Sequence, residues 1–202
     1  MRLTSDRAGA RVRGALGAGI VGLAAMAFAA SAAPASASAA GAASASADST
    51  SKIVSNYAPY LCVNGGGGDS WQLQMGGCSG LSHPYYNWTF HQLTKRDSHG
   101  GAWWEIKDIW GKCMDADLNH IGDGGKVQDW TCNGAAQQHW YLWPLGSGNY
   151  EFINGVNTNY VLDAVTAGAD NPGVPGDHLQ LWTANYKPQQ KWYVSNLSYP
   201  LG

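Results

Sequence analysis

The two glutamates, four cysteines and six histidines of this 202-residue chain are the side chains best suited to acid–base, covalent or metal chemistry. Glu105 and Glu151 sit in Trp-Trp-Glu-Ile and Asn-Tyr-Glu-Phe, at like positions of two similar segments. Glycoside hydrolysis needs two carboxylates facing each other across the scissile bond. Residues at repeat-related places are better explained as structure, so a glycosidase is the poorer reading of this pair. His83, His91, His99, His120, His139 and His178 show no His-Glu-x-x-His spacing, and the chain has no Gly-x-Ser-x-Gly elbow. Neither a metalloprotease nor a serine hydrolase is supported. Asp115-Ala116-Asp117-Leu118-Asn119 opens like a calcium-binding loop, yet His120 and Lys126 stand where that loop needs Gly and Glu. The cysteines lack any Cys-x-x-Cys pair, which makes zinc a weaker reading than disulfides. We expect no metal and no cofactor.

The elements that would position a site are set out by three tryptophans, Trp88, Trp140 and Trp192, each 52 residues from the next. Their neighbours recur with them: Asn87-Trp88-Thr89-Phe90, His139-Trp140-Tyr141-Leu142 and Lys191-Trp192-Tyr193-Val194. Self-similarity at a fixed period marks a repeated supersecondary unit. Each unit supplies about four short strands between Gly, Asn and Asp turns. The first runs through Ile53-Val54, Leu61 to Val63, Trp71 to Gln74 and Trp88 to Phe90. The second uses Trp104 to Ile106, Cys113 to Asp115, Val127 to Trp130 and Trp140 to Leu142. The third uses Tyr150 to Ile153, Val161 to Asp163, Leu179 to Trp182 and Trp192 to Val194. Twelve strands in three like units of about 50 residues predict an all-β fold, a β-trefoil, in which a closed barrel leaves no open edges.

The first 39 residues stand apart from that pattern. Arg2, Arg7, Arg11 and Arg13 precede a weakly apolar run from Ala15 to Ala30 and Ala-x-Ala sites at Ala35 to Ala39, the order of a secretory signal peptide. The run is short of the roughly 20 residues that span a bilayer, so no membrane span is expected. Residues 40–51 are Ala/Ser-rich and read as a flexible lead-in to a domain over 52–202. Without 1–39, Lys and Arg fall from 12 to 8 and Asp and Glu from 14 to 13, a formal charge near −5. Nucleic-acid binding, which rests on neutralising phosphates, is not expected. The expected location is extracellular.

In an exported chain four cysteines read as two disulfides. Of the three connectivities, Cys62–Cys78 and Cys113–Cys132 each close a short loop within one repeat. Such a loop contributes about 3 kcal/mol by chain entropy, a value that depends on the treatment. The third repeat has Val161 and Ala184 in the cysteine places and must hold its loop by packing.

The Gln-x-Trp element, together with Cys-Met-Asp and Val-Gln-x-Trp-x-Cys-Asn-Gly, resembles the ricin-type β-trefoil lectins, also described as a carbohydrate-binding module family attached to secreted bacterial glycosidases. The resemblance covers about Lys52 to Leu197 and is best over Lys112 to Trp140. In that family a sugar lies on an aromatic ring, an aspartate grips adjacent hydroxyls, and Gln or Asn near the Gln-x-Trp element completes the polar contacts. The matching positions in repeat two are Asp115, Gln128, Trp130, Gln137 and Gln138. In repeat three they are Asp163, Gln180, Trp182, Gln189 and Gln190. Repeat one departs, with Asn64 for the aspartate, Gly76 for the aromatic and Tyr86 for the glutamine. The resemblance thus implies two sugar sites and one dead one.

Elementary chemistry agrees with that set. A pyranose has a C–H face that covers an aromatic ring and a rim of hydroxyls that demand directional partners. Hydrogen bonds to a carboxylate are roughly twice as strong as neutral ones. Trp130 and Trp182 as core, with Asp115 and Asp163 as turn residues, is the structural alternative, and Gln138 and Gln190 also suit a structural role. Galactose-type ligands and xylan are both common in that family, and Gln-Asp-Trp in repeat two against Gln-Leu-Trp in repeat three suggests that the two sites need not share a preference. A separately made secreted glycosidase is a partner this family allows. Another use is a protein-binding trefoil of inhibitor or toxin-partner type, engaging through the loops Asn119 to Lys126 and Thr166 to Asp177. Asn87-Trp88-Thr89 and Asn196-Leu197-Ser198 are formal glycosylation sequons, but the first overlaps an inferred core Trp.

Overall fold

The computed structural model describes residues 48–79, 83–96, 101–166, 173–195 and 197, all within one compact unit spanning 43–202. The leader, residues 40–47 of the lead-in, Asn196 and Ser198 of the second sequon, and 167–172 of the Thr166 to Asp177 loop lie outside the described residues. No helix among those described is long and apolar enough to cross a membrane.

Repeat one contains β1 (Ser49–Ser51), β2 (Ile53–Ser55), β3 (Leu61–Asn64), β4 (Trp71–Gln72), β5 (Gln74–Gly77) and β6 (Trp88–Arg96). Repeat two contains β7 (Ala102–Lys107), β8 (Lys112–Ala116), β9 (Gly125–Thr131) and β10 (His139–Gly146). Repeat three contains β11 (Asn149–Asn154), β12 (Tyr160–Ala164), β13 (Leu179–Thr183) and β14 (Trp192–Val194). Around the barrel, β6 pairs with β7, β7 with β10, β10 with β11, β11 with β14 and β14 with β2, all antiparallel. The ring closes because β1, running into β2, pairs with β6 through Ser49↔Phe90 and Ser51↔Trp88. Ser49–Ser51 therefore belongs to the barrel and not to the lead-in. Its Ser-Thr-Ser string carries no apolar alternation, yet it supplies the hydrogen bonds that would otherwise leave the β6 edge open, and Ser51 bonds Ser195 across the closure at 3.0 Å.

The hairpins β3–β5, β8–β9 and β12–β13 cap the barrel and join each other about the pseudo-threefold axis. The joints are Trp71↔Asp129, Lys126↔Gln180 and the single bridge Gln74↔His178. The sequence pattern predicts one strand over Trp71 to Gln74, whereas the structure breaks it at Leu73. The Leu73 N–H donates to Val127 O (2.9 Å) and its carbonyl accepts from Leu179 N (2.8 Å), so this one residue bonds to both other repeats. The molecule is a β-trefoil.

Period-2 alternation turns Trp88, Phe90, Trp140, Leu142, Trp192 and Val194 inward, where none exceeds 2 % exposure. The three tryptophans are pinned alike. Each indole N–H donates to the carbonyl one residue beyond the first cysteine position: Val63 (3.0 Å), Met114 (2.9 Å) and Leu162 (3.1 Å). A 3-10 turn precedes each, at Pro84–Tyr86, Ala136–Gln138 and Pro188–Gln190. Both disulfides are as expected, Cys62–Cys78 and Cys113–Cys132.

One interior carboxylate gives the fold a pH dependence. Asp129 is fully buried, and its Oδ2 accepts from Gly66 N (2.6 Å) and Gly67 N (3.0 Å) while Oδ1 has no partner. Burial, with the Asp108 charge adding to it, pushes its pKa up to about 7, against the pull of the two glycine N–H groups. A carboxyl raised in the folded state binds its proton more tightly there than in the unfolded chain. Its contribution is then greatest near the ordinary carboxylate range and is lost as pH rises through about 7. Asp129→Asn keeps an acceptor for the glycine N–H groups and removes the charge. In thermal melts it should raise Tm at about pH 8 and change it little at about pH 5; a loss at both would place the stabilisation in the carboxylate itself.

Candidate functional site

In repeat two the hairpin β8–β9 sets Asp115 directly opposite Gln128. Asp115 Oδ1 accepts from Gln128 Nε2 and Oδ2 from Gln138 Nε2, each at 3.0 Å. Burial holds the Asp115 carboxyl above the ordinary range, offset by hydrogen bonds from Gln128, Gln138 and Gln137. Gln138 is fully buried; its Nε2 also donates to Thr131 O (3.0 Å), and its Oε1 accepts from Asn133 N (2.7 Å). Around this braced aspartate opens a hollow of about 300 Å3, lined by Asp115, Gln128, Trp130, Asn133 and Gln137, with Asp117, Asn119 and Lys126 at its rim.

Repeat three rebuilds the arrangement. Asp163 lies opposite Gln180, whose Nε2 donates to its Oδ1 at 2.9 Å. Gln190, fully buried, accepts from Asn185 N (2.8 Å) and donates to Thr183 O (3.1 Å). Burial raises the Asp163 carboxyl too, against hydrogen bonds from Gln180 and Gln190. The hollow, about 330 Å3, is lined by Asp163, Gln180, Trp182, Asn185, Lys187 and Gln189. Trp182 is 38 % exposed and Trp130 half-buried, so neither ring is core.

Eight of the ten residues singled out from sequence therefore gather in two hollows. Gln138 and Gln190 do not, because their side-chain polar atoms are turned inward to the aspartate and to the chain on either side of the second cysteine position. Both side chains brace the aspartates from behind and reach neither hollow. A second correction concerns Asp129 and Leu181, the middle residues of Gln-Asp-Trp and Gln-Leu-Trp. Both are fully buried, on the opposite strand face from the hollow, so this difference lines neither hollow. The hollows differ instead in their rims. Asn133 and Asn185 were missed by sequence reasoning, although their 52-residue spacing is that of the tryptophans.

Repeat one lacks the arrangement. Asn64 faces Gln74 and Gly76 faces Cys62, which puts Gly76 in the ladder place of Trp130 and Trp182. Tyr86 fills the space, its hydroxyl so near that a Cβ on Gly76 would lie 2.6 Å away. Glu105 and Glu151 line neither of these two hollows. Glu105 pairs with Lys107 at 2.7 Å, and the Cys113 and Cys132 sulfurs beside it are committed to their disulfide.

The protein is thus a β-trefoil that rebuilds one hollow in two of its three repeats. Residues 84–175 match the family described as "Ricin-type beta-trefoil lectin domain-like", and the resemblance read from the motifs holds. Among solved structures, the chain is similar to ThreeFoil, a designed 3-fold symmetric protein (18 % identity, TM-score 0.56, 72 % of this chain and 96 % of that one). It is similar also to the Abrus precatorius agglutinin (19 %, 0.56, 74 % and 49 %). A third is the Polyporus squamosus lectin bound to the epitope Neu5Aca2-6Galb1-4GlcNAc (12 %, 0.56, 72 % and 48 %). The chain thus spans nearly all of the designed protein and about half of each natural lectin. Comparison with curated protein sequences finds no match.

Proposed function

We propose that this chain is a secreted, non-enzymatic carbohydrate-binding protein that holds galactose- or xylose-type sugars in the hollows of repeats two and three. The observation that carries the reading is the duplication: a buried aspartate, an amide opposite it, a second amide and an asparagine at the rim, and a half-open Trp recur in one geometry 52 residues or so apart. Core packing alone explains neither the exposed rings nor the braced carboxylates beside open space. A sugar's apolar face lies on Trp130 or Trp182, and two hydroxyls donate to Asp115 or Asp163. Gln128, Gln137, Asn133 and their counterparts both donate and accept around the rim. The Abrus and Polyporus proteins, an agglutinin and a glycan-bound lectin, support the same direction.

A glycan array on the mature chain tests this, with signal expected on galactose- or xylose-containing glycans. Retention of no glycan, alongside specific recovery of a protein partner, would favour the inhibitor-type reading instead. The acceptor role also fixes a pH response. Protonation removes the charge that two sugar hydroxyls need, and burial raises both carboxyls. Affinity electrophoresis in polysaccharide gels from about pH 8 to about pH 4 should show retention falling at a higher pH than an ordinary aspartate would give. Retention that is flat across this range would remove the aspartates from the contact.

A further inference from the structure

A third hollow, about 330 Å3, opens where repeat three lacks its disulfide, lined by Trp143, Glu151, Ile153, Thr158, Val161, Ala184 and Tyr186. Ladder registers identify each wall by its counterpart in repeat two. His91↔Glu105 matches Trp143↔Glu151, Lys107↔Cys113 matches Ile153↔Val161, and Cys113↔Trp130 matches Val161↔Trp182. In repeat two the carboxylate is satisfied internally: Glu105 pairs with the Lys107 ammonium at 2.7 Å and packs against the disulfide. Repeat three keeps the carboxylate and removes both neighbours. Lysine becomes Ile153, the cysteines become Val161 and Ala184, and Glu151 is left 4 % exposed with its Oε1 unpartnered.

The mouth of the hollow carries a further departure. Gly134 follows Asn133 in repeat two with φ +69, a left-handed conformation that suits glycine. At the same place after Asn185 stands Tyr186, with φ 60, a backbone conformation costly for a ring-bearing residue. Its side chain is 71 % exposed, and Trp143, directly across the ladder from Glu151, is 46 % exposed. Two accessible rings therefore flank a buried, unpaired carboxylate over an aliphatic floor.

We propose that this hollow binds a small amphiphilic cation, an apolar body with one N–H-bearing ammonium head that replaces the lost lysine. The head donates to Glu151 and lies against the Trp143 and Tyr186 rings, and the body covers Ile153, Val161 and Ala184. A sugar suits the place poorly, because beyond the N–H and O–H of the two rings only Glu151 and the Thr158 hydroxyl face the hollow, and three aliphatic side chains make its floor. Burial holds the Glu151 carboxyl above its ordinary range, and the Lys191 charge pulls it down only in part.

Benzylammonium is the probe and benzyl alcohol its neutral counterpart, each titrated into the mature chain with the Trp143 indole signal followed by NMR. Benzylammonium should saturate and bind roughly tenfold or more tightly than the alcohol. Glu151→Gln should weaken it by a similar factor. Ile153→Lys, which restores the internal ammonium, and Val161→Cys with Ala184→Cys, which fills the floor, should each block the probe. None of these changes should alter polysaccharide retention, so this site can fail without the sugar sites failing. Equal binding of the two probes, or full benzylammonium affinity in either Glu151→Gln or Ile153→Lys, would overturn the assignment.

Discussion

Replacing Trp140 by Ala should destabilise the protein by about 3 to 5 kcal/mol, read as a fall in the urea midpoint. The side chain is fully buried, so its loss leaves a cavity in a close-packed barrel, and it strips the Met114 carbonyl of its indole donor. Against a total stability of roughly 5 to 15 kcal/mol, that loss brings the fold to its margin. Trp88→Ala and Trp192→Ala should fall in the same range, since both share the burial and the carbonyl bond. Trp143→Ala, on a ring 46 % exposed, should cost no more than about 0.5 to 1 kcal/mol. A near-neutral Trp140→Ala would remove the pseudo-threefold core.

The second large effect concerns use of the two sites together. A shallow site with one ring and a few exposed hydrogen bonds should bind a monosaccharide at about 0.1 to 1 mM. One polymer spanning repeats two and three makes its second contact at high effective concentration, which can add a factor of about 100 or more. Asp115→Ala or Asp163→Ala alone should therefore weaken polysaccharide retention by about that factor while leaving monosaccharide binding at the other site intact. The double change should abolish both, and Asn64→Ala should alter neither. Loss of retention in the Asn64 variant would return repeat one to the binding surface.

The repeat, the disulfides and the two hollows were legible in the sequence because each leaves a periodic trace: core Trp at 52-residue intervals, cysteines within a unit, and Gln128 with Trp130 recurring 52 residues on as Gln180 with Trp182. What stayed hidden depends on contacts between repeats. Ser49–Ser51 closes the barrel through backbone hydrogen bonds, to which side-chain pattern is blind. Leu73 breaks its strand because its peptide groups bond to Val127 and Leu179, each from a different repeat. Gln138 and Gln190 look like ligand groups by type, and only burial shows that they brace the aspartates. Asp129 sits in sequence between Gln128 and Trp130, which line a hollow, yet strand alternation turns it to Gly66 and Gly67.

The two-site assignment is tested most directly by following the tryptophan indole N–H signals while galactose or xylose is added. Trp130 and Trp182 should shift progressively and saturate, and the fully buried Trp88, Trp140 and Trp192 should hold still. Asp115→Ala should silence only the Trp130 response and Asp163→Ala only that of Trp182. Sugar-dependent shifts that persist in the double variant, or that leave both Trp130 and Trp182 unmoved while polysaccharide is still retained, would contradict it.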